Sequence, residues 1–144
     1  MATLQDKIYG KMEWDDETYC WSCLIDDDEY GEYELSISSD SQMNFFAVRN
    51  THKTFERLMI NLPSIIQKAV QEILKNSGKY NDKKERKVFG EVFQSSLYLS
   101  SMTINEDLSS EIFLGSSVWE EADIDKEIHI LLNSDGVMTD AHID

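Results

Sequence analysis

THKTFERLMINLPSIIQKAVQEILKNS, Thr51 to Ser77, is the stretch whose reading decides the fold. Ten apolar residues recur along it: Phe55, Leu58, Met59, Leu62, Ile65, Ile66, Ala69, Val70, Ile73 and Leu74. Steps of three and four place them all on one face of a helix of period 3.6. Burying that face contributes roughly 15–30 kcal/mol gross, at about 1.5–3 kcal/mol per large apolar side chain. Conformational entropy offsets most of it. The cover for the face has to come from the rest of the chain, which reads as strands. Asn50 or Thr51 is the expected cap. Pro63 removes a backbone donor inside the helix, yet the apolar phase runs through it without a slip. The spacing therefore predicts a kinked helix, or two nearly coaxial ones with Asn61 as a second start. Gly78 follows as a suitable left-handed C-terminal residue.

On the N-terminal side, residues 7–14 alternate with Ile8, Gly10, Met12 and Trp14 on one side. Thr18 to Ile25 is a second strand, with Tyr19, Trp21, Cys23 and Ile25 sharing a face. Glu32 to Ser38 is a third, with Tyr33, Leu35 and Ile37 inward. The turns between them are acidic: Asp15-Asp16-Glu17 and Asp26-Asp27-Asp28-Glu29. Met43 to Val48 fits a fourth strand or the start of the helix equally well. On the C-terminal side, Asp82 to Phe93 predicts a shorter helix with Val88, Phe89, Val92 and Phe93 on its apolar side. Strands return at Leu97–Ile104, Leu108–Gly115 and Glu127–Asn133, with Ser116–Asp125 a polar connection around Trp119. Val137–Ile143 has room for a short final strand. The expectation is a single α+β domain over residues 1–144. Its antiparallel sheet has about six strands in the order β-β-β-α-α-β-β-β, with the two helices packed on one face.

The net charge of −15 is unevenly spread. Residues 49–87 carry +6, residues 1–48 carry −10 and residues 88–144 carry −11. The helical middle is thus basic and the strands are strongly acidic. Such a surface repels nucleic acid and most membrane surfaces and favours basic partners. No apolar run approaches the length of a membrane span, and the first residues lack the layout of a secretory signal, so a cytoplasmic protein is expected.

Motifs for chemistry are sparse. Cys20-Trp21-Ser22-Cys23 lies mid-strand, where positions three apart point to opposite faces and no helix N-terminus lowers a thiol pKa. A zinc site built on it needs two further ligands, and His52, His129 and His142 have no close spacing. Asp26-Asp27-Asp28-Glu29 lacks the alternating spacing of a calcium loop. Nucleophile elbow, P-loop and dinucleotide fingerprint are absent from the sequence. The expectation is a non-enzyme without cofactor or metal. What remains is surface. Asp15, Asp16, Trp21, Asp26, Asp27, Asp28, Tyr30, Trp119, Glu120 and Glu121 combine rings with carboxylates, the composition of a face that receives a basic protein.

Three pieces of the chain resemble small bacterial domains of the polymorphic-toxin immunity type. They are Gly10-Lys11-Met12-Glu13-Trp14 with Tyr19-Cys20-Trp21, then Phe55-Glu56-Arg57-Leu58, then Asn133-Ser134-Asp135-Gly136 with Thr139-Asp140-Ala141. Trp119 stands where that group is expected to carry a glycine-histidine pair. The resemblance implies a protein that binds a cognate toxin and blocks its site. An acidic nucleic-acid mimic is the alternative, and a small ligand-binding or enzymatic domain is a third reading.

Overall fold

A computed structural model of the chain describes residues 2–78 and 82–144. The strands are β1 (Thr3–Asp6), β2 (Gly10–Asp15), β3 (Cys20–Asp27), β4 (Gly31–Ser38), β5 (Leu97–Ile104), β6 (Ser110–Ser116), β7 (Ile128–Leu132) and β8 (Met138–Ile143). The helices are α1 (Phe46–Asn50), α2 (His52–Asn76), α3 (Lys83–Gln94) and α4 (Ser117–Glu121). The strands form one sheet in sequence order. Two antiparallel meanders, β1–β4 and β5–β8, join at its centre through the parallel pair β4–β5. A parallel pair needs a crossover, and the helices between residues 46 and 94 supply it. The α+β class is as the sequence predicts. The sheet has eight strands where about six are expected.

The extra strands have local causes. Residues 7–14 read as one strand because of their alternation, but the Asp6 carboxylate accepts the backbone N–H of both Ile8 and Tyr9 at 2.8 Å. Gly10 then takes a positive φ of 80°. The chain turns there, Ile8 is left exposed, and β1 pairs back onto β2. At the other end, β8 pairs with β7 from Met138 to Ile143, with a register shift that leaves Thr139 without a partner in the ladder. Met43 to Val48 belongs to the helical start, because Ser41 and Asn44 turn the chain into α1. The connection at 116–125 contains the short helix α4, whose start Ser116 caps by accepting from Val118 N–H.

Helix α2 runs unbroken through Pro63 and is bent. Leu58, Leu62, Ile65, Ile66, Ala69, Val70 and Leu74 are buried, as their periodicity requires, with Phe55, Met59 and Ile73 packed partly against the core. Thr51 stands at its N-cap, one of the two expected positions. Thr51 has helical φ and ψ and makes no side-chain cap bond. Its hydroxyl donates to Val48 O at 2.6 Å and meets Tyr9 Oη at 2.7 Å. His52 Nε2 pairs with Asp6 at 2.9 Å, while Arg57 Nη2 donates to Ser134 O at 3.1 Å. The β1–β2 turn and the β7–β8 turn thus both contact α2. Eight strands laid flat span about 33 Å. The sheet therefore curls around α2, with its inner face dry and its outer face open. Trp21, Leu35, Ile37, Met102, Ile104, Ile112, Leu114 and Ile130 line the inner face, each fully buried.

Helix α3 packs differently from its sequence pattern. Asp82 caps it, accepting from Lys84 N–H at 3.1 Å. Gly90 is its buried residue, facing Gln71, Val70 and Leu74 of α2. The close approach through a glycine rotates Val88, Phe89 and Val92 outward, where they are exposed, and only Phe93 of the expected apolar side packs inward.

Candidate functional site

Alternation along each strand assigns the outer face. Register carries Glu13 to Ser22, Ser22 to Ser36, Ser36 to Thr103, Thr103 to Glu111 and Glu111 to Leu131 in one row across the sheet. A second row runs from Leu24 through Glu34, Ser101, Phe113 and His129 to His142. The middle of the face is made of small hydroxyl side chains. Carboxylates of Glu13, Asp26, Glu32, Glu34, Glu111 and Asp140 surround them, and Lys11 is the one Lys or Arg among the described strand residues there.

The acidic turns flank this face at both ends, because successive reversals in a meander alternate ends. Asp15 and Asp16 sit at the β2–β3 turn. Asp15 accepts from Glu17 N–H at 2.9 Å, and Asp16 accepts the indole N–H of Trp14 at 2.7 Å. At the opposite end, Asp26 lies across from Glu32 on the outer face. Asp27 is half-buried and closes the β3–β4 turn by accepting from Glu29 and Tyr30 N–H, both at 2.9 Å, which leaves Asp28 exposed at its tip. Tyr30 is half-buried against the core, and burial raises its hydroxyl pKa. The parallel pairing of β4 with β5 brings Tyr98 to this same end, where its hydroxyl donates to Glu120 of α4. Glu120 and Glu121 are exposed. Trp119 is half-buried, edge-on to Phe93 at 5.7 Å.

Trp21 does not belong to a contact surface. It is 0% exposed, packed between Trp14 and Phe45 on the inner face. An odd number of steps from the outward Asp26 puts it inside, and its indole N–H has no partner there. Exposed rings beside the acidic residues are instead Tyr19, held at the turn with φ 55°, and Tyr98, whose hydroxyl meets Glu120. Tyr98 lies over Gly115, its cross-strand neighbour, which leaves the room a larger residue would fill.

The structure also joins residues that looked scattered in sequence. His129 and His142 are cross-strand partners on β7 and β8. His129 Nε2 lies 3.0 Å from Glu111 Oε1 and its Nδ1 lies 3.5 Å from Asp144 Oδ2. His142 Nδ1 lies 2.7 Å from Asp140 Oδ2 and its Nε2 lies 3.0 Å from Asp144 Oδ1. Phe113 stacks flat on His129, with centroids 4.4 Å apart. A partial signal for the histidine pair was present: counting back across the turn at residues 134–136 sets 129 opposite 141, and the register shift between Leu131 and Leu132 moves it to 142. It could be used only once Val137–Ile143 was assigned as a strand. Glu111 comes from β6 and had no local signal.

Cys20 and Cys23 are free and lie on opposite faces of β3. Burial, reinforced by Asp6 and Glu34, pushes the Cys23 thiol up to about 11, and burial raises Cys20 as well. Neither is a ready thiolate. Among the described residues, no helix is long and apolar enough to cross a membrane. Compared with known protein families, curated proteins and solved structures, the chain gives no match.

Proposed function

We propose that this protein is a non-enzymatic binding domain of the immunity type, which receives a basic protein partner, a cognate toxin in the first instance, on its outer sheet face. The observation that carries this reading is the composition of that face: hydroxyls ringed by carboxylates, with Lys11 as the lone lysine among its described strand residues. Helices α2 and α3 carry most of the basic side chains on the other layer. A cationic partner is therefore steered to one side of the molecule. Tyr19 and Tyr98 supply contact area there, and Asp26, Asp28, Glu120 and Glu121 supply carboxylates for arginine pairing. Trp119 and Tyr30 stiffen the platform from beneath.

The test is co-purification with the products of adjacent genes at low and high salt, followed by assay of any partner's activity. A stoichiometric basic partner whose activity is blocked supports the reading. Replacement of Asp26, Asp28 and Glu34 by their amides should then slow association at low salt by about tenfold or more. Unchanged binding by that triple variant would remove the outer face from the interface.

A further inference from the structure

We propose that His129, His142 and Asp144 form a binding site for one divalent transition-metal ion, zinc in the first instance, on the outer face at the β7–β8 edge. The proposal is independent of the partner reading above. It rests on how the ring nitrogens are used. Each histidine commits one nitrogen to its own carboxylate: His129 Nε2 to Glu111, and His142 Nδ1 to Asp140. A carboxylate accepts, so each of those nitrogens carries the proton. The other nitrogen of each ring, His129 Nδ1 and His142 Nε2, faces the same carboxylate, Asp144, and is the one an ion would take as ligand, in exchange for any proton shared with Asp144. Carboxylate behind imidazole is the arrangement that fixes tautomer and raises basicity in metal-binding histidines.

The dimensions also fit. Ligands at about 2.0–2.1 Å around a tetrahedral ion lie roughly 3.3 Å from one another. The His129–Asp144 and His142–Asp144 separations are 3.5 and 3.0 Å, and the donor atoms all lie within 4.8 Å of one another. Phe113 floors the site by stacking on His129, so that ring cannot swing away. Neighbouring strands hold the two histidines, and His142 and Asp144 are open enough for an ion to enter. Two imidazoles with one carboxylate select a borderline ion over calcium or magnesium, which take oxygen ligands. Three protein ligands leave a coordination position facing solvent. Bound there, the ion ties the edge strand β8 to β7.

The full chain, stripped with a chelator and titrated with Zn2+ in a calorimeter, should bind one ion per molecule. Thermal unfolding should shift upward by roughly 5–10 °C at a hundredfold excess over Kd. Magnesium should give no shift at the same concentration. His142→Ala and Asp144→Asn change exposed side chains, so the fold should persist by circular dichroism while stoichiometric binding and the thermal shift are lost. Glu111→Gln should weaken zinc affinity about 10–100-fold. Absence of a one-to-one complex in the unaltered protein would overturn the proposal. So would equal binding by His142→Ala, which would assign the zinc to diffuse surface carboxylates.

Discussion

Trp21 and Gly115 show how a residue's neighbours decide its role. Trp21 sits in an acidic, aromatic-rich stretch but is sealed on the inner face between Trp14 and Phe45. Trp21→Ala should therefore lower unfolding stability by about 3–5 kcal/mol, as loss of a large buried ring does, measured by denaturant titration. A loss under 1 kcal/mol would contradict its place in the core. Gly115 is required for the opposite reason. A Cβ there would lie 2.4 Å from the Tyr98 ring, on a strand where that ring has its hydroxyl held by Glu120. Gly115→Ala should displace Tyr98 and destabilise by about 1–3 kcal/mol, the usual penalty of forcing bulk into filled space. The same change should lower the Tyr98 pKa, because its hydrogen bond to Glu120, which raises it, is broken. Tyrosine absorbance during a pH titration reads this directly.

Helix α3 carries the clearest lesson at the scale of an element. Four apolar residues at helical spacing predicted the packing face, but Gly90 allows closer approach to α2 than any of them. A glycine contact brings the backbones together, and the apolar side chains beside it turn outward. Val88→Lys and Val92→Lys should then change stability by less than about 0.5 kcal/mol, as exposed substitutions do. Phe93→Ala, which removes the ring packed on Trp119, should cost several times more. Equal losses at all three positions in denaturant titrations would restore the face that the spacing suggests. In α2, by contrast, pattern and packing agree, because its apolar face is surrounded by the curled sheet on most sides.

For the whole molecule, two buried tyrosines tie stability to alkaline pH. Burial is the main cause that raises the Tyr9 and Tyr33 hydroxyls above the ordinary tyrosine range. In the unfolded chain they titrate near 10. Their contribution is complete below that value and falls as pH rises above it, since the unfolded state then releases protons that the folded state retains. Stability should decline above about pH 10, and Tyr33→Phe should make the decline shallower. An unchanged slope in denaturant titrations between pH 9 and 11 would count against this. The acidic outer face adds a salt effect of its own: screening of like charges in a chain of −15 should raise the unfolding temperature between low and moderate salt.

Much of this architecture was legible in the chain. The period of three and four over residues 55–74 determines α2 and its buried face, and alternation determines β3, β4, β5 and β7, because each pattern reports one local repeat against one buried side. The uneven charge was equally plain, being a property of composition. Other features depended on contacts between distant segments. The Asp6 carboxylate decides that residues 3–15 make two strands, the Gly90 contact sets which face of α3 is inward, and the register of β6, β7 and β8 brings Glu111, His129, His142 and Asp144 together. A repeat can be read from neighbours in sequence, whereas a site made across strands exists only once their register is fixed by packing.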